Sequence, residues 1–193
     1  LQKIEADLHA GLWSSFFEEQ AGTPFIWWHE FVHTMKRYHH YKGFSMFMQG
    51  IDPRGKDFVF KDFDVQEGVP VEMKTDESKD AEPAVSLKPD PENACYVAGN
   101  KDEIYGWVCN KKFMIEYPDA KAELKPIAGR FVLLDIPAAG GSYKLSFLAT
   151  ITGAELSASV VNAKSVPLQI PIPEFTIDVA FKMFRLPGAD SVE

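Results

Sequence analysis

His29-Glu30-Phe31-Val32-His33 is a stretch whose spacing could carry chemistry. Two histidines at i and i+4 share one helix face and can hold zinc, while the intervening glutamate activates a water. His39 stands ten residues after His29, where the metzincin pattern keeps its third ligand. The surrounding sequence argues against that chemistry. The pattern wants glycine three residues after the second histidine, and this chain has Lys36 there. Met46 and Met48 fall on the apolar face of a following helix and offer no Met-turn. The residues before His29 open with Pro24 and run aromatic, which suits a strand better than a long zinc-binding helix. We therefore read His29 and Glu30 as polar residues at the end of a strand. We expect no metal and no cofactor.

Cys95 and Cys109 are the two thiols, and either a disulfide or two buried free thiols is compatible with their spacing. The chain carries a net charge of −8 and no basic cluster denser than Lys36-Arg37. A protein that displaces counterions from phosphate needs a basic stripe, so nucleic acid and anionic membrane surfaces are not expected partners. No apolar run reaches the roughly 18 residues of a membrane-spanning helix.

These residues must be positioned by two different kinds of element. All five histidines lie before residue 52, as do Trp13, Trp27 and Trp28; Trp107 alone follows. Ile4, Leu8, Leu12 and Phe16 recur every fourth residue, which predicts a helix over 3–20, closed at Ala21-Gly22. Thr23–Trp28 is bulky on both faces, as in a strand of a parallel sheet. Tyr38, Tyr41, Phe44, Met48 and Ile51 return to helical spacing. One strand cannot satisfy its own backbone, so residues 1–52 read as a helix–strand–helix slice of a larger α/β fold. A turn at 51–55 separates this from residues 56–187. There, short alternating segments separated by turn residues predict an antiparallel β-sandwich. The expected strands are 57–65, 69–74, 84–87, 94–97, 104–110, 112–117, 131–136, 143–150, 154–161, 166–170 and 175–184. The fold class expected is α+β, and the run at 75–82 is a charged loop.

Two blocks of sequence resemble a known group. His9-Ala10-Gly11-Leu12-Trp13-Ser14-Ser15 followed by Ala21-Gly22-Thr23-Pro24-Phe25-Ile26-Trp27-Trp28 is similar to the H-x-x-L-W-x-S helix and A-G-T-x-x-x-W-W strand of bacterial glycoside hydrolases. These are clan-A-type, family 5-like enzymes related to the DUF4038 and DUF5060 groups, in which that helix and strand end a (β/α)8 barrel. Tyr38–Phe47 resembles their last barrel helix. Gly141–Phe147 and Ile170–Ala180 resemble their C-terminal sandwich, which carries an Asp-Thr pair where this chain has Ala149-Thr150.

The resemblance implies hydrolysis of O-glycosidic bonds in a poly- or oligosaccharide. Such retaining enzymes use two carboxylates about 5 Å apart, at the ends of barrel strands four and seven. By the same alignment both fall outside this chain, so no catalytic residue is expected within it. Glu5 and Asp7 fall on a helix outside the barrel. What remains is a wall of the site: Trp28 and Trp27 to stack on a sugar face, with His29 and Glu30 to bond hydroxyls. Trp13 is assigned to the core. A secreted, periplasmic or cell-surface location is implied, and the helical segment should be covered by the sandwich, by a second copy or by the missing N-terminal barrel portion. Two alternatives stand beside this reading. One is a non-catalytic carbohydrate-binding sandwich using exposed Tyr96, Tyr105 or Trp107; the other is the HExxH zinc peptidase.

Overall fold

The computed structural model describes residues 2–20, 29–68, 88–115, 124–135, 141–163 and 167–187. The expected strand 23–28, the segments at 69–74 and 84–87 and the charged run 75–82 lie outside these residues.

Among the described residues, ten strands pair into two antiparallel sheets. The larger contains β1 (Val59–Phe63), β4 (Asn93–Gly99), β5 (Glu103–Asn110), β7 (Ser142–Leu148), β8 (Glu155–Asn162) and β10 (Asp178–Arg185). Their spatial order is β1-β4-β5-β10-β7-β8. The smaller contains β2 (Val65–Glu67), β3 (Lys88–Pro89), β6 (Arg130–Leu134) and β9 (Leu168–Ile172), in the order β3-β2-β6-β9. Period-2 alternation explains the packing. On β10, Val179, Phe181 and Met183 face one way and join Val132, Leu134, Ile170 and Ile172 of the smaller sheet in one buried cluster. The two sheets thus share a core, and the mixed α+β architecture is compatible with a β-sandwich.

The opposite face of the larger sheet is buried as well. Tyr105, Trp107 and Cys109 of β5 and Ala180 of β10 pack with Leu8, Leu12, Trp13, Phe17 and Phe47 in a second cluster. Those partners come from α1 (Gln2–Phe17) and α3 (Tyr38–Met48), which lie together as a helical layer. Trp13 stacks on Trp107 at 6.1 Å between ring centroids. The central strand β5 is consequently buried from Ile104 to Asn110 on both faces. Among the described residues, α1 and α3 are thus covered by the larger sheet.

Four local outcomes differ from the sequence expectation or settle what it left open. The expected strand 57–65 divides, because the chain passes from the larger sheet to the smaller at Asp64 and Val65 pairs with Val132. The expected strand 112–117 begins as a helical turn, α4 (Lys111–Ile115). Asn110 Oδ1 accepts the Lys112 N–H at 2.9 Å, a local bond that favours turning over extension. His29 and Glu30, expected at a strand end, begin the short helix α2 (His29–Thr34). Finally, Cys95 and Cys109 are buried free thiols on neighbouring strands. Cys95 belongs to the core between the sheets and Cys109 to the helical side, so they sit on opposite faces of one sheet and cannot be bridged. Burial raises both thiols well above the ordinary range, which removes thiolate reactivity.

Candidate functional site

The polar chemistry of the molecule concentrates where α1, α3 and the start of β10 meet. His9 lies on α1 one turn before Trp13, so the same helix face that packs its indole on β5 carries the imidazole to the sheet. There, His9 Nε2 lies 2.7 Å from Asp178 Oδ2, with both side chains almost wholly buried. Trp107 Nε1 donates to the same oxygen at 2.7 Å, and Thr150 Oγ1 donates to Oδ1 at 2.6 Å. Asp178 is thus a buried carboxylate with both oxygens engaged, the condition under which a buried charge is tolerated.

A second histidine extends the chain of contacts outward. His40 Nδ1 lies 2.9 Å from His9 Nδ1, and its Nε2 lies 3.1 Å from Glu5 Oε1. His39 Nε2 approaches the same Glu5 oxygen at 3.8 Å, while Arg37 holds the other oxygen at 3.0 Å. Burial pulls the His40 imidazole down from its ordinary value to about 4; the nearby His9 and His39 act in the same direction, and the contact with Glu5 opposes it. A cleft of about 300 Å³ opens on this array, lined by Glu5, His9, His39, His40, Phe113, Ile151 and Ile177. It combines apolar walls with convergent imidazole and carboxylate groups, the makeup of a small-ligand site. Glu5, His39 and His40 could also hold a metal ion, since one ligand atom from each lies within 4.8 Å of the others.

The residues singled out from sequence fall elsewhere. Trp27 and Trp28 lie outside the described residues. His29 and Glu30 are exposed on α2 and do not line the cleft. His33 is exposed too and lies 2.9 Å from the Tyr38 hydroxyl through Nδ1. Lys36 adopts φ +53°, so the chain turns there without the glycine. After that turn His39 meets Glu5 of α1 rather than joining His29 and His33 in a group of three. Tyr105 and Trp107 are buried and Tyr96 half-buried beneath the helical layer, so they form no exposed aromatic row.

The network of His9, His40, Asp178, Thr150 and Trp107 was not foreseen. A partial signal existed in the blocks quoted above, which contain His9, His40 and Asp178. Nothing in their spacing shows that residues 31 and 169 positions apart touch.

Fold and cleft together define an α+β protein: two antiparallel sheets, a helical layer docked on the larger, and a histidine-lined polar array at the junction. No family model, no curated protein and no solved structure matches the chain.

Proposed function

We propose that this chain is the C-terminal part of a glycoside hydrolase acting on O-glycosidic bonds of a poly- or oligosaccharide. It comprises the end of a (β/α)8 barrel and a C-terminal sandwich. In this reading the acid/base and nucleophile carboxylates belong to other barrel strands, and the chain alone is catalytically silent. Trp28 supplies an aromatic platform for a sugar ring. Trp27, His29 and Glu30 flank it.

The observation that carries the reading is the fate of the H-x-x-L-W block. Its histidine, His9, is tied to Asp178, and its tryptophan, Trp13, stacks on Trp107, both within the sandwich. The block therefore acts as the fastening between a helical segment and a β-body. A catalytic barrel that depends on an appended sandwich needs a fastening of that kind. The burial of Tyr105 and Trp107 gives no support to a sandwich that binds glycan through those rings.

Affinity electrophoresis of the chain through gels of soluble glucans, mannans, galactans and xylans tests the proposal. Retardation by at least one polysaccharide is expected, weakened about tenfold in Trp28→Ala and unchanged in Tyr41→Ala. No retardation by any of them, or equal retardation of both variants, would overturn it.

A further inference from the structure

We propose that Glu5, His39 and His40 bind one divalent transition ion of the zinc class at the mouth of the cleft. This does not rest on the glycoside hydrolase reading.

The first ground is a proton count. The contacts Asp178–His9, His9–His40 and His40–Glu5 each need one hydrogen between their heavy atoms. Two neutral imidazoles carry only one N–H each. If His9 Nε2 donates to Asp178, then its Nδ1 is a lone pair that accepts from His40 Nδ1. His40 Nε2 is then also a lone pair, and it points at the carboxylate oxygen Glu5 Oε1 only 3.1 Å away. A lone pair facing an anionic oxygen at that distance is repulsive unless a cation sits between them.

The second ground is geometry. At zinc bond lengths of 2.0–2.2 Å and a tetrahedral angle, ligand atoms sit about 3.3–3.6 Å apart. Glu5 Oε1 stands 3.1 Å from His40 Nε2 and 3.8 Å from His39 Nε2. His39 is half-exposed, and since the three ligand atoms lie within 4.8 Å of one another, its ring has to turn inward against His40 to complete the set. Two imidazoles and a carboxylate are a ligand set that zinc accepts, with the cleft supplying room for a water in the fourth position.

The third ground is the outer shell. Metal-bound histidines typically hand their other N–H to a fixed acceptor, which sets tautomer and ring orientation. His40 has this in His9, which is itself anchored on Asp178, and Arg37 fixes the Glu5 carboxylate through its second oxygen. The exposed pair His29 and His33 on α2 lacks any comparable arrangement among the described residues.

Isothermal titration of the 193-residue chain with zinc chloride at neutral pH tests the site. One equivalent should bind, weakened at least tenfold in Glu5→Gln and in His39→Ala, each checked for native circular dichroism. The double variant His29→Ala/His33→Ala should bind within twofold of the parent. Cobalt added in place of zinc should give the intense visible absorption of a four-coordinate ion, lost in His39→Ala. Absence of saturable zinc uptake would assign the missing cation to a proton and overturn the proposal. Loss of binding in the α2 double variant, with His39→Ala unaffected, would overturn it equally.

Discussion

Asp90 shows how single side chains set the pH response of this molecule. Burial works to raise its carboxyl, but hydrogen bonds from Arg130 Nε, the Asn93 amide and the Glu92 N–H outweigh that and leave it below the ordinary carboxylate value. A carboxyl depressed in the folded state stabilises it fully above the unfolded pKa, near 3.9, and loses that contribution as pH falls towards the folded value. Asp90→Asn keeps the shape and removes the charge. At neutral pH it should cost about 1.5–3 kcal/mol, the range for hydrogen bonds to a charged group. Urea midpoints should therefore differ clearly between parent and variant at pH 7 and converge below about pH 4. A difference that stays constant over that span would show that the charge of Asp90 contributes nothing. The bonds from Glu92 and Asn93 are local to the sequence, but the ion pair is not, since Arg130 lies 40 positions away on another strand.

At the scale of elements, the decisive contact is the docking of α3. Gly43 faces the turn after β7, and a Cβ there would stand 2.0 Å from the Thr150 carbonyl oxygen and 2.7 Å from the Ile151 carbonyl carbon. Both are backbone atoms, so α3 must move away from the sheet to admit a side chain. Gly43→Ala gains roughly 1 kcal/mol of helix propensity, yet overpacking costs typically about 1–3 kcal/mol. Because the obstacle is rigid, the net effect should be a loss, read as a lower melting temperature than that of the exposed control Lys42→Ala. An increase would show that α3 is not seated against Thr150. The helices themselves were legible, because Leu8 and Leu12 on α1 and Phe44 and Met48 on α3 recur at helical spacing. Their boundaries fell close to expectation as well. The strand expected from Lys112 was lost to a helical turn because a side-chain bond from Asn110 acts locally, where alternation of apolar residues is blind.

For the molecule as a whole, the central question is what covers each sheet face. The larger sheet has no solvent-facing side at its centre, since Ala98, Tyr105, Trp107 and Ala180 lie beneath α1 and α3. Removing residues 1–52 should expose that apolar surface. A chain beginning at Pro53 is expected to bind the dye ANS several-fold more strongly than the full chain and to associate in sedimentation velocity, as large exposed apolar patches do. A monomer with unchanged dye binding would show that the helical layer is dispensable. The same arrangement accounts for the aromatic richness of the sequence, which serves two cores, one on each side of a single sheet.

By itself the sequence determined the period of each element. The spacing of three to four on α1 and α3 became helix and the alternation on β7 and β10 became strand, because backbone geometry fixes where side chains point, whereas Lys111–Ile115 turned helical against its pattern. It also determined an acidic chain with no described helix long and apolar enough to cross a membrane. Only the tertiary structure decided which polar groups meet. His9, His40, Glu5 and Asp178 come from three elements, and their contact depends on the helices crossing the larger sheet at one place. The same holds for the two cysteines, whose separation follows from the parity of β4 and β5 once those strands are paired in one register. Spacing along the chain governs contacts within an element. Contacts between elements depend on packing that minimises exposed apolar surface over the entire fold, and no local pattern encodes that sum.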